Sequence, residues 1–305
     1  MAAAIHKPVL LKEVLEFLNP GQNENFVDCT VGEGGHSEEI LKRNGPDGKV
    51  LGIDLDPVQI SSAEWLKAQF KERIVLANDS YIHIRDIIGR KNFGPVNGIL
   101  LDLGMSSVQL EGNGLPAGRQ EKGFSFKIDQ SLDMRYNDQM GYLTAEKIVN
   151  EWPEDKIENI LKEYGEEKFS KKISKSIIEK RRLGRIRTTF QLIEVIKRAT
   201  PSAYHKAKIH YATRTFQALR IAVNDELENI RTVLPEALSL LAFRGRLVVI
   251  SFHSLEDRIV KNFLAGEVKK QTLKLLTKKP VTASGDEIRI NPRSRSAKLR
   301  AIVKI

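Results

Sequence analysis

Three aspartates, Asp28, Asp54 and Asp102, stand at or beside the ends of short apolar runs, and a glycine-rich turn (Gly32, Gly34, Gly35) separates the first two. Carboxylates in such places can accept hydrogen bonds from ribose hydroxyls or from an amine, and glycines let backbone N–H groups approach a ligand closely. Phe26 to Thr30 reads as the first strand, and a helix is expected from near Ser37. Val50 to Ile53 reads as the second strand and ends at Asp54, 22 residues after Gly32. That spacing is close to the roughly 20 residues expected of an acid that grips a ribose. The dinucleotide fingerprint also needs glycine at position 37, where this chain has Ser37. The turn Asp28-x-x-x-Gly32-x-Gly34-Gly35 therefore suits S-adenosyl-L-methionine better than a nicotinamide dinucleotide, because this donor has no pyrophosphate to seat on a helix N-terminus.

The acid that follows the fourth strand, Asp102 in Asp102-Leu-Gly-Met-Ser-Ser107, stands where amino-group methyltransferases hold the substrate amine, and it is the first catalytic candidate. His253, in Ser251-Phe-His-Ser254 after a later strand, is the second. Capping or bracing roles compete at Asp102, at His253 and at His36.

The elements that must place these residues fall into two groups. Strands are expected at Arg73 to Leu76, Gly98 to Leu103, Arg246 to Ser251 and Lys298 to Ile305, with a long helix at Leu227 to Ala242. Between them, amphipathic helices are expected at Thr144 to Asn150, Asp155 to Tyr164, Glu167 to Lys180 and Thr189 to Ala199. The fold class is thus α/β, a doubly wound Rossmann-like sheet with an inserted helical domain. The sheet domain would comprise residues 1–108 and 212–305, and the inserted substrate-recognition domain residues 109–211. In such sheets ligands gather beyond the carboxyl ends of the strands, so the residues that follow each strand should converge.

Charge points to the partner. The chain of 305 residues carries a net charge of +10. Lys168 to Lys208 contributes +11 and Lys269 to Ile305 contributes +9, leaving −10 for the rest. Two basic blocks on an acidic remainder are the footprint of a nucleic-acid partner. Lys171, Lys172, Lys175, Arg181 and Arg182 lie on a predicted helix that alternates apolar and basic positions, and Arg293 and Arg295 share one side of a period-two run. The single cysteine, Cys29, reads as a buried filler. A cytoplasmic protein is expected, with no membrane span and no structural metal, because no window is long and apolar enough and no Cys/His cluster has ligand spacing.

At the level of whole phrases the chain resembles the bacterial small-subunit ribosomal RNA cytosine-N4 methyltransferases, the MraW family. The matching phrases include His6-Lys-Pro-Val-Leu-Leu-Lys-Glu-Val, Val31-Gly-Glu-Gly-Gly-His-Ser, Gly52-Ile-Asp-Leu-Asp-Pro and Gly98-Ile-Leu-Leu-Asp-Leu-Gly-Met-Ser-Ser. Gly123-Phe-Ser-Phe, Leu132-Asp-Met-Arg, Arg214-Thr-Phe-Gln-Ala-Leu-Arg, Ser251-Phe-His-Ser-Leu-Glu-Asp and Asn291-Pro-Arg-Ser-Arg-Ser extend the match almost to the end.

The resemblance implies a class I S-adenosylmethionine-dependent methyltransferase fold. It further implies transfer of a methyl group to N4 of a cytidine in the decoding region of 16S rRNA, on the small ribosomal subunit, by a monomer or homodimer. Carried over by position, donor binding falls to Gly34, Gly35, His36, Asp54, Tyr81, Asp102 and Gln109. Four features depart from the family pattern: Tyr211 in place of proline after His210, Lys122 in place of arginine, Val108 in place of proline before Gln109, and an apparent insertion at Leu115 to Gln120.

Phe124, Phe126 and Phe252 are candidates for stacking on an unstacked target base. A non-catalytic RNA-binding assembly factor and an amine methyltransferase acting on another nucleic acid are the competing readings. The second is weakened because the strand-four turn is Asp102-Leu-Gly-Met105 rather than an Asp/Asn-Pro-Pro-aromatic turn.

Overall fold

In this computed structural model the described residues are 7–105, 122–139 and 141–305. They form two compact units, one of Met1–Gly104 with Leu227–Ile305 and one of Met105–Glu226. Gln109 and the Leu115 to Gln120 excursion lie outside the described residues.

The first unit is built on a sheet of seven strands among the described residues: β1 (Phe26–Asp28), β2 (Val50–Asp54), β3 (Ile74–Asn78), β4 (Val96–Asp102), β5 (Leu241–Ser251), β6 (Leu273–Leu275) and β7 (Lys298–Lys304). The strand order is β3-β2-β1-β4-β5-β7-β6. The pairings β1 with β2, β1 with β4, β2 with β3 and β4 with β5 are parallel, and β7 runs antiparallel to both neighbours. This is the expected doubly wound, largely parallel α/β sheet. β6, three residues long, has too little pattern to be read from sequence.

Apolar side chains alternate between the two faces of the sheet, and both faces are covered, as a largely parallel sheet requires. Val27, Leu51, Ile99, Leu101, Leu247 and Val249 pack on one face with Ile84 and Ile87 and with Ile230, Val233 and Leu234. Phe26, Val50, Leu100, Val248 and Ile250 pack on the other with Val14, Leu18, Ile40 and Leu66. Cys29 is buried in the first cluster, where burial raises its thiol pKa further and keeps it inert. No helix among the described residues is long and apolar enough to cross a membrane.

The second unit is helical. Helices Ala145–Glu151, Glu154–Glu163, Ser170–Leu183, Thr189–Ala199 and Thr213–Asn224 share a core that includes Ile148, Leu161, Ile173, Ile177, Leu192, Ile196, Phe216 and Leu219. The fourth helix starts where its sequence says it must: the Thr188 side chain accepts from Gln191 N–H, and the Gln191 side chain returns to the Thr188 backbone. Helix Thr213–Asn224, placed with the sheet domain on sequence grounds, instead sends Phe216, Ala218 and Leu219 into this helical core. The boundaries accordingly fall at 104/105 and 226/227 rather than 108/109 and 211/212.

Candidate active site

β1 and β4 are neighbours while their connections run to opposite sides, so the strand order reverses between them, and the carboxyl ends of this pair are where α/β sheets seat their ligands. The glycine turn leaves β1 there. Gly32 (φ +54°) and Gly34 (φ +90°) both adopt left-handed backbone, which favours glycine. Their surroundings differ. A Cβ at Gly32 would meet no heavy atom closer than 3.9 Å, whereas one at Gly34 would lie 2.6 Å from Leu66 Cδ1 and one at Gly35 would lie 2.5 Å from Pro8 Cγ. The missing side chains at Gly34 and Gly35 thus make room for packing, and the open approach that was expected at all three is found at Gly32. The helix that follows begins at Gly35, two residues before the expected start.

Three carboxylates converge on this turn. Asp54 Oδ2 accepts the Gly32 N–H at 3.0 Å, and Oδ1 accepts the Asp56 N–H at 2.9 Å. Asp28 Oδ2 accepts from Ser37 Oγ at 2.8 Å, and Oδ1 accepts the Thr30 N–H at 3.2 Å. Thr30 Oγ1 in turn accepts the Asp102 N–H at 2.8 Å, which ties the end of β4 to the end of β1. Asp102 Oδ1 accepts the Gly104 N–H at 3.3 Å, and Oδ2 lies 3.9 Å from His36 Nδ1. The other nitrogen of His36, Nε2, is 3.0 Å from the Val9 carbonyl and donates to it, so Nδ1 is the atom turned to Asp102.

Burial pushes all three acids upward. The Asp102 carboxyl rises to about 7, because desolvation and the charges of Asp28 and Glu256 outweigh the Gly104 N–H bond. Asp54 rises to about 7 and Asp28 to about 6, again chiefly through burial, against the hydrogen bonds each accepts. The Asp102 side chain keeps 19% of its surface exposed, so a substrate can still reach it. A crowded negative turn of this kind repels a pyrophosphate and attracts a cation.

The remaining predicted residues separate. Tyr81 opens a single turn, Tyr81–His83, after β3, and packs half-buried on the first sheet face. His253 is engaged in a cap. It is the N-cap of helix Ser254–Lys269, its Nδ1 accepting the Glu256 N–H at 3.4 Å while Nε2 stands 3.1 Å from Glu256 Oε1. Glu256 Oε2 reciprocates by accepting the N–H groups of Phe252 at 2.7 Å and His253 at 3.2 Å. Replacing His253 by alanine should therefore cost about 1 kcal/mol of stability, as loss of an N-cap does, and His253→Asn should restore most of it. Denaturant titration checks this, and a loss of kcat far beyond that of stability would return the histidine to the chemistry.

Among the basic candidates, Lys171, Lys172, Lys175 and Arg182 are exposed on helix Ser170–Leu183, whose opposite face buries Ile173 and Ile177. Arg181 is turned inward. Its Nη1 donates to the carbonyls of Trp152 at 2.7 Å and Val149 at 3.3 Å, satisfying the end of helix Ala145–Glu151, so it is withdrawn from the RNA-binding set. Arg293 and Arg295 lie in a short 3-10 helix, Pro292–Ser296, and not in a strand, so the period-two argument for a shared side fails. β7 begins only at Lys298, where pairing with β5 and β6 becomes available. Phe124 is buried and stacked on Tyr136 at 5.3 Å, and Phe252 lies against Gly104, so both belong to packing. Sequence reasoning assigned no role to Thr30 or Glu256, whose polar side chains directly after β1 and in the first turn after β5 were the available signal.

A family model described as the MraW methylase family matches residues 3–305. A protein of Heliobacterium modesticaldum named "Ribosomal RNA small subunit methyltransferase H" is 44% identical over 316 residues, covering 98% of each chain. Relatives of the same name from Symbiobacterium thermophilum (44% identity, 98% of this chain and 96% of the relative) and Sulfurihydrogenibium (46% identity, 97% of each) agree along comparable lengths. With phrases, sheet order and whole-length similarity in accord, the chain belongs to the MraW methylase family.

Proposed function

We propose that this protein transfers the methyl group of S-adenosyl-L-methionine to N4 of a cytidine in the decoding region of 16S rRNA, in the cytoplasm. The observation that carries the reading is the convergence of Asp28, Asp54 and Asp102 on an open glycine turn at the strand-order reversal. The residues fit the donor. Asp54, pinned by two backbone N–H groups, keeps lone pairs for the ribose hydroxyls, and the space over Gly32 admits a ligand. The crowded carboxylates suit a cationic sulfonium. When bound, the donor supplies an electrophilic methyl group.

The protein's own residues do the rest. The cytosine amine is a poor nucleophile because its lone pair is delocalised into the ring. Asp102 accepts an N4–H bond, which favours a pyramidal nitrogen and steadies the positive charge that develops there. Thr30, accepting the Asp102 N–H, holds the backbone that carries this carboxylate, and His36 Nδ1 faces Oδ2 at 3.9 Å. Positioning carries much of the remaining barrier, since effective molarities of about 10⁵ M or more are available to well-aligned groups. No covalent intermediate is needed, and the proton leaves N4 after transfer.

Lys171, Lys172 and Lys175 supply phosphate contacts that position RNA without reading its sequence. Reversing all three to glutamate should weaken RNA binding across sequences and lower the slope of log affinity on log salt by about 0.7–0.9 per phosphate no longer neutralised. An unchanged slope in filter binding would clear that helix.

The reaction is tested by incubating labelled donor with small subunits from cells lacking the protein, followed by nucleoside mass spectrometry of the rRNA. Labelled N4-methylcytidine is the expected product. Label on a different nucleoside would overturn the N4 assignment.

A further inference from the structure

A second surface on the helical unit shares no residue with helix Ser170–Leu183. Four rings stand in a row. Phe126 and His210 stack at 4.6 Å and only 4° from parallel, His210 and Tyr211 stack at 4.2 Å, and Tyr211 meets His205 at 4.6 Å. The row is braced from below. Phe216 sets its edge against Phe126 at 5.8 Å, and the Ala212 N–H donates to His210 Nδ1 at 3.3 Å. Thr200 Oγ1 donates to the Ile196 carbonyl and accepts from His205 Nε2, both at 2.8 Å. Held at Nδ1, the His210 ring carries its proton on Nε2 and keeps a donor at the surface, where the residue is exposed. Burial and neighbouring His205 keep the His210 pKa below its usual value, so at neutral pH the ring is a flat, uncharged aromatic.

The charge near this row is mainly positive, although the Glu194 carboxylate lies close enough to Tyr211 to add to the rise that burial gives its pKa. From Val195 to Asn224 the chain holds six Lys or Arg residues and no Asp or Glu. Arg214 and Arg220 are engaged internally, with the Glu166 carbonyl and with Glu226, but Lys197, Arg198, Lys206 and Lys208 are exposed. Lys206 and Lys208 lie between the rings in sequence, and Lys127 follows Phe126. Inside the row the rings cover one another's faces, so a base adds at its Tyr211–His205 end, beside solvated lysines; this suits a strand whose phosphates and bases are both accessible, which a duplex does not offer.

We infer that the row Phe126–His210–Tyr211–His205, with Lys206 and Lys208, is a stacking platform for unpaired nucleotides of the RNA substrate beyond the target cytidine. The inference rests on the RNA-methylating function proposed above.

The test is fluorescence anisotropy of the full-length protein with a short fluorescein-labelled single-stranded RNA, at several salt concentrations, beside methyl transfer to small subunits. Tyr211→Leu should weaken RNA binding about 5-fold or more, as removal of one stacked base predicts, with the salt slope unchanged, while Tyr211→Phe retains affinity. Exchanging the exposed pair Lys206→Gln and Lys208→Gln, which threatens no packing, should lower the slope by roughly 0.7 for each phosphate no longer neutralised. Unchanged affinity in the first variant and unchanged slope in the second, with methyl transfer intact, would overturn the platform and leave the proposed function standing. Wild-type protein that neither binds the RNA nor methylates subunits would overturn both, and binding to phosphatidylglycerol vesicles in place of RNA would reassign the surface to a membrane.

Discussion

Asp102→Ala should lower the rate of methyl transfer by about 10²–10³-fold, the usual effect of deleting one preorganised group that stabilises transition-state charge. Asp102 stands at the end of β4, its backbone held by Thr30 Oγ1 at 2.8 Å and its carboxylate turned between the Gly104 N–H and His36. Donor affinity should change only a few-fold, because the ribose is assigned to Asp54 on another strand. Asp102→Asn should fall between, retaining an acceptor but losing the charge. The pH profile follows from the same group. With its carboxyl at about 7, the accepting, ionised form is filled as pH rises, so wild-type rates should climb through neutrality and level off above it. Single-turnover assays with saturating donor and subunits make the measurement. Substantial residual activity in the alanine variant would remove Asp102 from the chemistry.

Donor-free protein should lose stability as pH rises from 5.5 to 8, and donor affinity should rise over the same range. Asp28 is pushed up to about 6, and Asp54 and Asp102 to about 7, so below these values the folded state holds protons that the unfolded chain has already released. Protons bound in excess by the folded state make stability fall with pH. This contribution is complete below the unfolded value of about 4 and is lost on passing through 6 and 7. Asp79, Asp133 and Asp257 are shifted the other way, so their contribution is lost only in acid below about 4, outside this range. His210, also depressed, opposes the trend only near and below its usual value.

The three raised carboxyls together account for a loss on the order of 5 kcal/mol, equivalent to a fall in melting temperature of roughly 10–20 °C. A cationic donor favours the ionised carboxylates, so it binds more tightly as they deprotonate and should restore much of the lost stability at pH 8. Calorimetric titrations at both pH values, with melting curves, decide the matter. Affinity that falls with rising pH would contradict a cation bound among these acids.

Local chemistry made much of this protein legible. The glycine turn, the strand that ends at Asp54, the Asp102 turn and the helix from Thr189 each depend on residues close in sequence, where turn geometry, β-propensity and apolar periodicity act. Helix Thr189–Ala199 was legible to the residue because its cap and its apolar period coincide. The family phrases supplied the reaction, and spacing alone had already separated the methyl donor from a dinucleotide at Ser37.

Tertiary structure decided what distant partners decide. Gly34 and Gly35 are glycines because Leu66 and Pro8 press on them, and Thr30 matters because parallel pairing brings it to the Asp102 N–H. Arg181 resembled its basic neighbours until the helix end at Val149 and Trp152 claimed it, and Arg293 and Arg295 alternated like a strand with no ladder to join. Helix Thr213–Asn224 changed units because its apolar stripe fits the helical core, a choice that periodicity cannot make. The raised carboxyl pKa values come from three acids meeting at one turn, and that crowding is a property of the folded sheet and of no segment by itself.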